Sequence, residues 1–208
     1  MDVGDGHTLF TIRGLRSCLD IESVELVHFA SDARQARREL GAAVFVQGKS
    51  RARLADCTLR STQGFGLWLI QRTSADVHGC RFLACGRSAI VAFGHPKLNV
   101  VGSNISDAGV HGVCARGWST VLVDSSSVRG SGQRGIFAYH NASLELRAAE
   151  VSGTKDPSRA AVEVHALGPN DRAHLTMDSR CIVEGNAGGD VRVEGAVRCS
   201  GDALRFVA

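Results

Sequence analysis

Apolar positions in this chain recur at a fixed step. Val44, Leu67, Ile90, Val113 and Ile136 stand 23 residues apart, and so do Val46, Leu69, Ala92, Ala115 and Ala138. The same step of 23 links Ala52, Ala75, Leu98, Val121 and Leu144, and then Leu54, Val77, Val100, Val123 and Leu146. A fifth track is small or thiol (Cys57, Cys80, Ser103, Ser126, Ala149), and a sixth is large again (Leu59, Phe82, Ile105, Val128, Val151). Within one repeat the apolar residues come as pairs two apart, which is strand spacing. Gly, Ser, Asp and Arg fill the intervals, and these suit turns. A helical repeat would space its apolar residues three and four apart and would not accommodate so many glycines.

Three short strands per repeat, stacked without insertion, predict an all-β, single-stranded, right-handed parallel β-helix solenoid of about seven coils with a period of 23 residues. Residues 1–208 form one domain in this reading: 1–42 an irregular first coil with an insert, 43–154 five regular coils, and 155–208 two looser ones. In the first part Leu19, Ile21, Val24 and Leu26 match Ala52, Leu54, Cys57 and Leu59 at a constant offset of 33. The ten extra residues, Ser31–Leu40 (SDARQARREL), read as a short helix with Ser31 or Asp32 as cap and Gly41 past its end. After Thr154 the loop KDPSR delays Val162 and Val164, and a second insertion around Gly168–His174 delays Leu175 and Met177. Val191 and Val193 open a last partial coil closed by Cys199, Leu204 and Phe206. No cap is recognisable there, which leads to the expectation of a truncated chain or of end-to-end association through that coil.

With the inward positions fixed, the outward ones can be compared. The second strand shows Arg53, Asp76, Asn99, Leu122 and Glu145, and the third Thr58, Arg81, Asn104, Ser127 and Glu150, both ordinary solvated faces. The first strand shows Phe45, Trp68, Val91, Cys114 and Phe137, flanked by Gln47, Ile70, Phe93, Arg116 and Tyr139, with Glu163 and His165 next in line. An apolar, aromatic stripe on an outer face marks an interface or ligand groove, unless an end segment or the 31–40 helix covers it. The binding residues expected from it are Phe45, Trp68, Ile70, Phe93, Arg116, Phe137, Tyr139, Glu163 and His165.

Composition narrows this reading. The formal charge of +3, from 24 Lys and Arg against 21 Asp and Glu, contains no basic run of the kind that binds nucleic acid. No apolar stretch approaches about 18 residues and no signal pattern opens the chain. The expectation is a soluble cytoplasmic or nuclear chain without membrane contact, or a secreted one if the sequence is a piece of a longer protein. Seven cysteines leave at least one thiol unpaired. Cys57 and Cys80 stand near enough for a disulfide, but a stack of buried small residues is the simpler reading. Cys80 and Cys85 lack a second pair, so neither a metal nor a cofactor site is expected. The patterns Asn104-Ile-Ser106 and Asn141-Ala-Ser143 are read as incidental.

The coil pattern, seen in GLWLIQRTSADVHGCRFLACG at 66–86 and GVCARGWSTVLVDSSSVRGSG at 112–132, resembles the right-handed β-helix repeat superfamily with the pectin-lyase-like fold. The resemblance implies the fold over nearly the whole chain and leaves activity open, because the superfamily holds polysaccharide lyases, hydrolases and epimerases beside non-catalytic modules of F-box-type adaptors. The enzymes place paired aspartates, or a Tyr/Asp/His/Asp group, on the first strand; this chain has Tyr139 and His165 without the aspartates. Three readings follow. The first is a non-catalytic recognition or scaffold domain for a protein or polysaccharide partner on the aromatic face. The second is a uronate lyase or epimerase working at Arg116, Tyr139, Glu163 and His165. The third is a structural segment of a larger β-helix.

Overall fold

A computed structural model describes residues 8–29 and 41–202. These residues form 23 strands in three parallel sheets, two of eight strands and one of seven. Each coil contributes one strand to each sheet in turn, giving seven complete coils and two strands of an eighth. The described residues contain no helix, and the helical insert expected at 31–40 lies outside them.

The 23-residue register is the pairing register. Val44, Leu67, Ile90, Val113 and Ile136 stand opposite one another on successive strands of the first sheet, and Ile136 continues to Val162 and Val191 across the two insertions. The offset of 33 is equally real, because Leu19 pairs with Ala52, Ile21 with Leu54 and Leu26 with Leu59. A bulge between Leu15 and Cys18 takes up one residue, so Phe10 pairs with Val44 at an offset of 34. All six inward tracks are buried, with Phe82, Leu54, Leu67, Ile90 and Ile136 among the largest side chains fully enclosed.

One corner per coil shows how such a short circuit closes. Between the second and third sheets the chain turns on a single left-handed residue, in successive coils Asp56, Gly79, Gly102, Ser125 and Ala148. The next residue belongs to the fifth track and points inward, and here the fold departs from a plain stack of small apolar groups. The N–H of Cys80 donates to Ser103 Oγ at 3.1 Å, and the N–H of Ser103 donates to Ser126 Oγ at 3.0 Å. Each hydroxyl in turn donates to the carbonyl two residues back, Ser103 to Val101 and Ser126 to Asp124. Cys57 N–H continues the ladder to Cys80 Sγ at 3.4 Å. All seven cysteines are free thiols, and burial pushes the Cys80 thiol up to about 11 and that of Cys85 to about 12, which leaves both protonated at neutral pH.

Because Ser103 satisfies a buried N–H, Ser103→Ala strands that donor and costs about 1–3 kcal/mol. Denaturant unfolding of the two proteins measures the difference, and equal midpoints would contradict the ladder's role. Ala148 adopts φ 43°, a left-handed conformation that costs a residue with a Cβ about 1–2 kcal/mol. Ala148→Gly relieves that strain and raises the midpoint.

Candidate functional site

The outer face of the first sheet carries its aromatic residues in two groups. On the early coils the rings of Phe45 and Trp68 lie 4.9 Å apart, and Phe65 lies 5.2 Å from Trp68. Arg13 stands over Phe45 and Arg87 over Phe65, about 6 Å from each ring. Phe45 is thereby buried, whereas Ile70 is half-buried and Phe93 remains 43% exposed. On the later coils Phe93, Arg116 and Tyr139 are direct cross-strand neighbours. The Arg116 guanidinium lies between the two rings, 4.9 Å from that of Phe93 and 5.1 Å from that of Tyr139. Cross-strand stacking of this kind holds an exposed arginine in one orientation.

Beside the early group lies a groove of about 800 Å³, lined chiefly by Leu15, Lys49, Ile70, Arg72, Phe93 and His95. It follows the corner where the chain leaves the first sheet. Along the groove that corner is a left-handed residue in every coil, glycine at Gly14, Gly48 and Gly94 and Gln71 in the coil between the last two. A Cβ on Gly48 would lie 2.7 Å from the Gly14 carbonyl oxygen, so the groove floor at that coil is bare backbone by necessity.

The sign of the charge on this face is uniform. The first six strands of the sheet, from Phe10–Ile12 to Arg134–His140, contain no Asp or Glu. Five exposed arginines on the other two sheets meet a carboxylate: Arg51 with Asp76, Arg53 with Asp20, Arg60 with Glu25, Arg129 with Glu150 and Arg147 with Glu145. Among the described residues Arg13, Lys49, Arg72 and Arg116 have no such partner.

The seventh coil is built differently. Glu163 continues the outward track, as expected, but its side chain is 0% exposed and it does not form a polar rim. The Arg134 guanidinium pairs with it directly, and Arg192 Nη1 donates to Glu163 Oε1 at 3.2 Å and to the Ser158 carbonyl at 3.2 Å. His165 Nε2 lies 3.7 Å from Glu163 and 3.7 Å from Glu194. The KDPSR insertion, read from the sequence as a polar loop that delays the next strand, thus supplies Ser158 to the group around this carboxylate. Burial, helped by the nearby Arg159, pulls the Arg134 guanidinium down to about 10, which still leaves it cationic at neutral pH. Phe137 lies at the centre of the surrounding rings, with the Arg134 guanidinium 4.1 Å from its centroid and His111 and His165 each at 5.3 Å.

A second, smaller cavity of about 320 Å³ opens next to this cluster, with Phe137, Tyr139, His140, His165, Leu167 and Asp171 around it. His140 Nδ1 donates to Asp171 Oδ2 at 3.0 Å, and this bond, ahead of one from the Gly168 N–H, holds the Asp171 carboxyl below its ordinary range. The structure therefore brings Tyr139 and His165 together and stacks Arg116 on Tyr139, but it withdraws Glu163 from solvent. Burial pushes the Tyr139 phenol above its ordinary value and holds the His165 imidazole below its own.

Sequence reasoning missed Arg134, Arg192, His111 and Asp171. Arg134 pairs with His111 at the ordinary step of 23, so the track was visible, but both residues sit in the corner before the strand core. Asp171 lies on an insertion that no repeat predicts.

Two measurements test the cluster. Arg134→Met leaves the Glu163 charge buried with only Arg192 beside it, and lowers stability by about 3 kcal/mol or more. The second is a pH profile. Burial, with repulsion from Arg134, lowers the His111 pKa from 6.5 to about 4. The folded state thus keeps His111 neutral where the unfolded chain already takes up a proton. Stability is flat with respect to this group above pH 6.5 and falls as pH drops towards 4. His165 adds to the slope with the same sign. Chemical denaturation of His111→Gln from pH 7 to 4 shows a shallower loss than the parent, and identical slopes would contradict the assignment.

Comparison with known proteins agrees with this architecture. No curated protein matches the chain, and no solved structure matches it. The family model described as "Right handed beta helix region" matches residues 38–187, well over half of the chain. Parallel strands recurring at 23 residues, six buried inward tracks and this match agree: the chain belongs to the right-handed β-helix family.

Proposed function

We propose that the chain is a non-catalytic recognition domain that takes its partner on the outer face of the first sheet. The observation that carries this reading is the groove of about 800 Å³, in which Ile70 and Phe93 present apolar surface beside cations that have no carboxylate partner. Open apolar surface bordered by polar groups is characteristic of binding sites. The uronate-enzyme reading has support in the cavity of about 320 Å³ at Tyr139 and His165. Against it stand the burial of Glu163 within its ion pairs, the hydrogen bond that ties Asp171, the carboxylate lining that cavity, to His140, and the raised Tyr139 phenol.

The test is a double substitution, Ile70→Ser with Phe93→Ser. Both side chains reach solvent, whereas Trp68 is packed between Phe45 and Phe65 and its removal would confound folding with binding. The variant keeps the parent's circular dichroism and thermal midpoint and loses capture of the partner by at least about tenfold, the scale of a central interface residue. Undiminished capture by the folded variant overturns the proposal. Turnover of a uronate polymer that disappears in Tyr139→Phe would establish the enzyme reading instead.

A further inference from the structure

Resting on the recognition reading above, we propose that the occupant of the first-sheet groove is an extended acidic peptide segment bearing aliphatic or aromatic side chains. Charge is the first argument. Lys49 and Arg72 line the groove, and Arg13 and Arg116 stand on the same face. The first-sheet strands of the first six coils bring no Asp or Glu to offset them. The groove lining itself holds Lys49 and Arg72 and no carboxylate, so its charge is of one sign. A ligand that supplies carboxylates complements these cations.

The groove's apolar walls are the second argument. Leu15, at 77% exposed, and Phe93, at 43%, offer far more apolar surface than isolated exposed residues do. Apolar side chains of a peptide can enter there while neighbouring carboxylates reach the cations, because an extended chain places successive side chains on opposite sides.

The mode of binding is constrained by the backbone. Gln47 N–H donates to Ile12, Lys49 N–H to Gly14, Arg72 N–H to Gly48 and His95 N–H to Gln71. The corner's donors are consumed in holding coil to coil, so the peptide cannot join the sheet as an added strand and must be read through its side chains. The groove runs across the first four coils, three inter-strand steps of about 4.8 Å, which an extended peptide covers with roughly four to five residues.

The experiment uses fluorescence polarisation with three fluorescein-labelled peptides, EELFEE, SSLFSS and KKLFKK, and with labelled oligogalacturonate. The acidic peptide binds at least about tenfold more tightly than the uncharged one, the basic one does not bind, and raising salt from about 0.05 to 0.5 M weakens the acidic complex. Lys49→Glu with Arg72→Glu, both exposed and with side chains that make no hydrogen bond among the described residues, abolishes acidic binding and leaves the thermal midpoint unchanged. Equal binding of EELFEE and SSLFSS, or acidic binding that survives the charge reversal, overturns the proposal. Oligogalacturonate binding that is lost with Phe93→Ser, without peptide binding, overturns the peptide assignment while keeping the recognition face. Binding of any probe unaffected by Ile70→Ser/Phe93→Ser overturns the face itself.

Discussion

Everything in this molecule depends on one constraint: each coil must place the same side chains inward at the same height as the coil below it. The strands of a coil do not pair with one another, so no coil can satisfy its backbone alone. The strands' N–H and C=O groups find their partners one turn away, and the interior is closed only when the stacked apolar tracks touch. A step of 23 residues is the length at which three strands and their corners return to the starting register. An insertion is tolerated where it leaves that return intact, which is why the long insertions fall at corners, and the one extra residue within a strand, between Leu15 and Cys18, is taken up as a bulge.

The fifth track shows the constraint at its tightest. A corner on one left-handed residue leaves room for only a small side chain on the inner side. It also brings a backbone N–H from the adjacent coil to that side chain. Serine and cysteine fit the space and accept the proton, so the gradation from Cys57 to Ser126 is a hydrogen-bonded ladder in which thiol and hydroxyl do the same work. No disulfide is needed, and burial, which pushes the Cys80 thiol up, slows its oxidation.

The outer face of the first sheet obeys different rules along its length. On the early coils stacked rings and unpaired cations surround an open groove, and nothing in the described chain supplies the opposite charge. On the seventh coil the same track carries Glu163, which the chain neutralises completely with Arg134 and Arg192. Burying a carboxylate is tolerable only with such close pairing. One end of the face is therefore complete in itself and the other is not, and the proposal of recognition at the early coils rests on this contrast.

The 23-residue step determined the fold class, the identity of the inward tracks and the outward position of Phe45, Trp68, Phe93, Arg116 and Tyr139, because inward and outward are fixed by parity once the register is known. The alternation of Val162 and Val164 placed Glu163 and His165 on the same tracks across the insertion, at an offset of 26. Parity says which way a side chain leaves the sheet, but not what lies over it. Only the tertiary structure showed that Glu163 is buried, that Arg116 is held between two rings, and that Asp171 reaches back to His140, because these contacts join corners and insertions that carry no periodic signal. Whether a charge is paired is likewise a property of neighbours brought together by coiling, and the sequence lists residues without their neighbours.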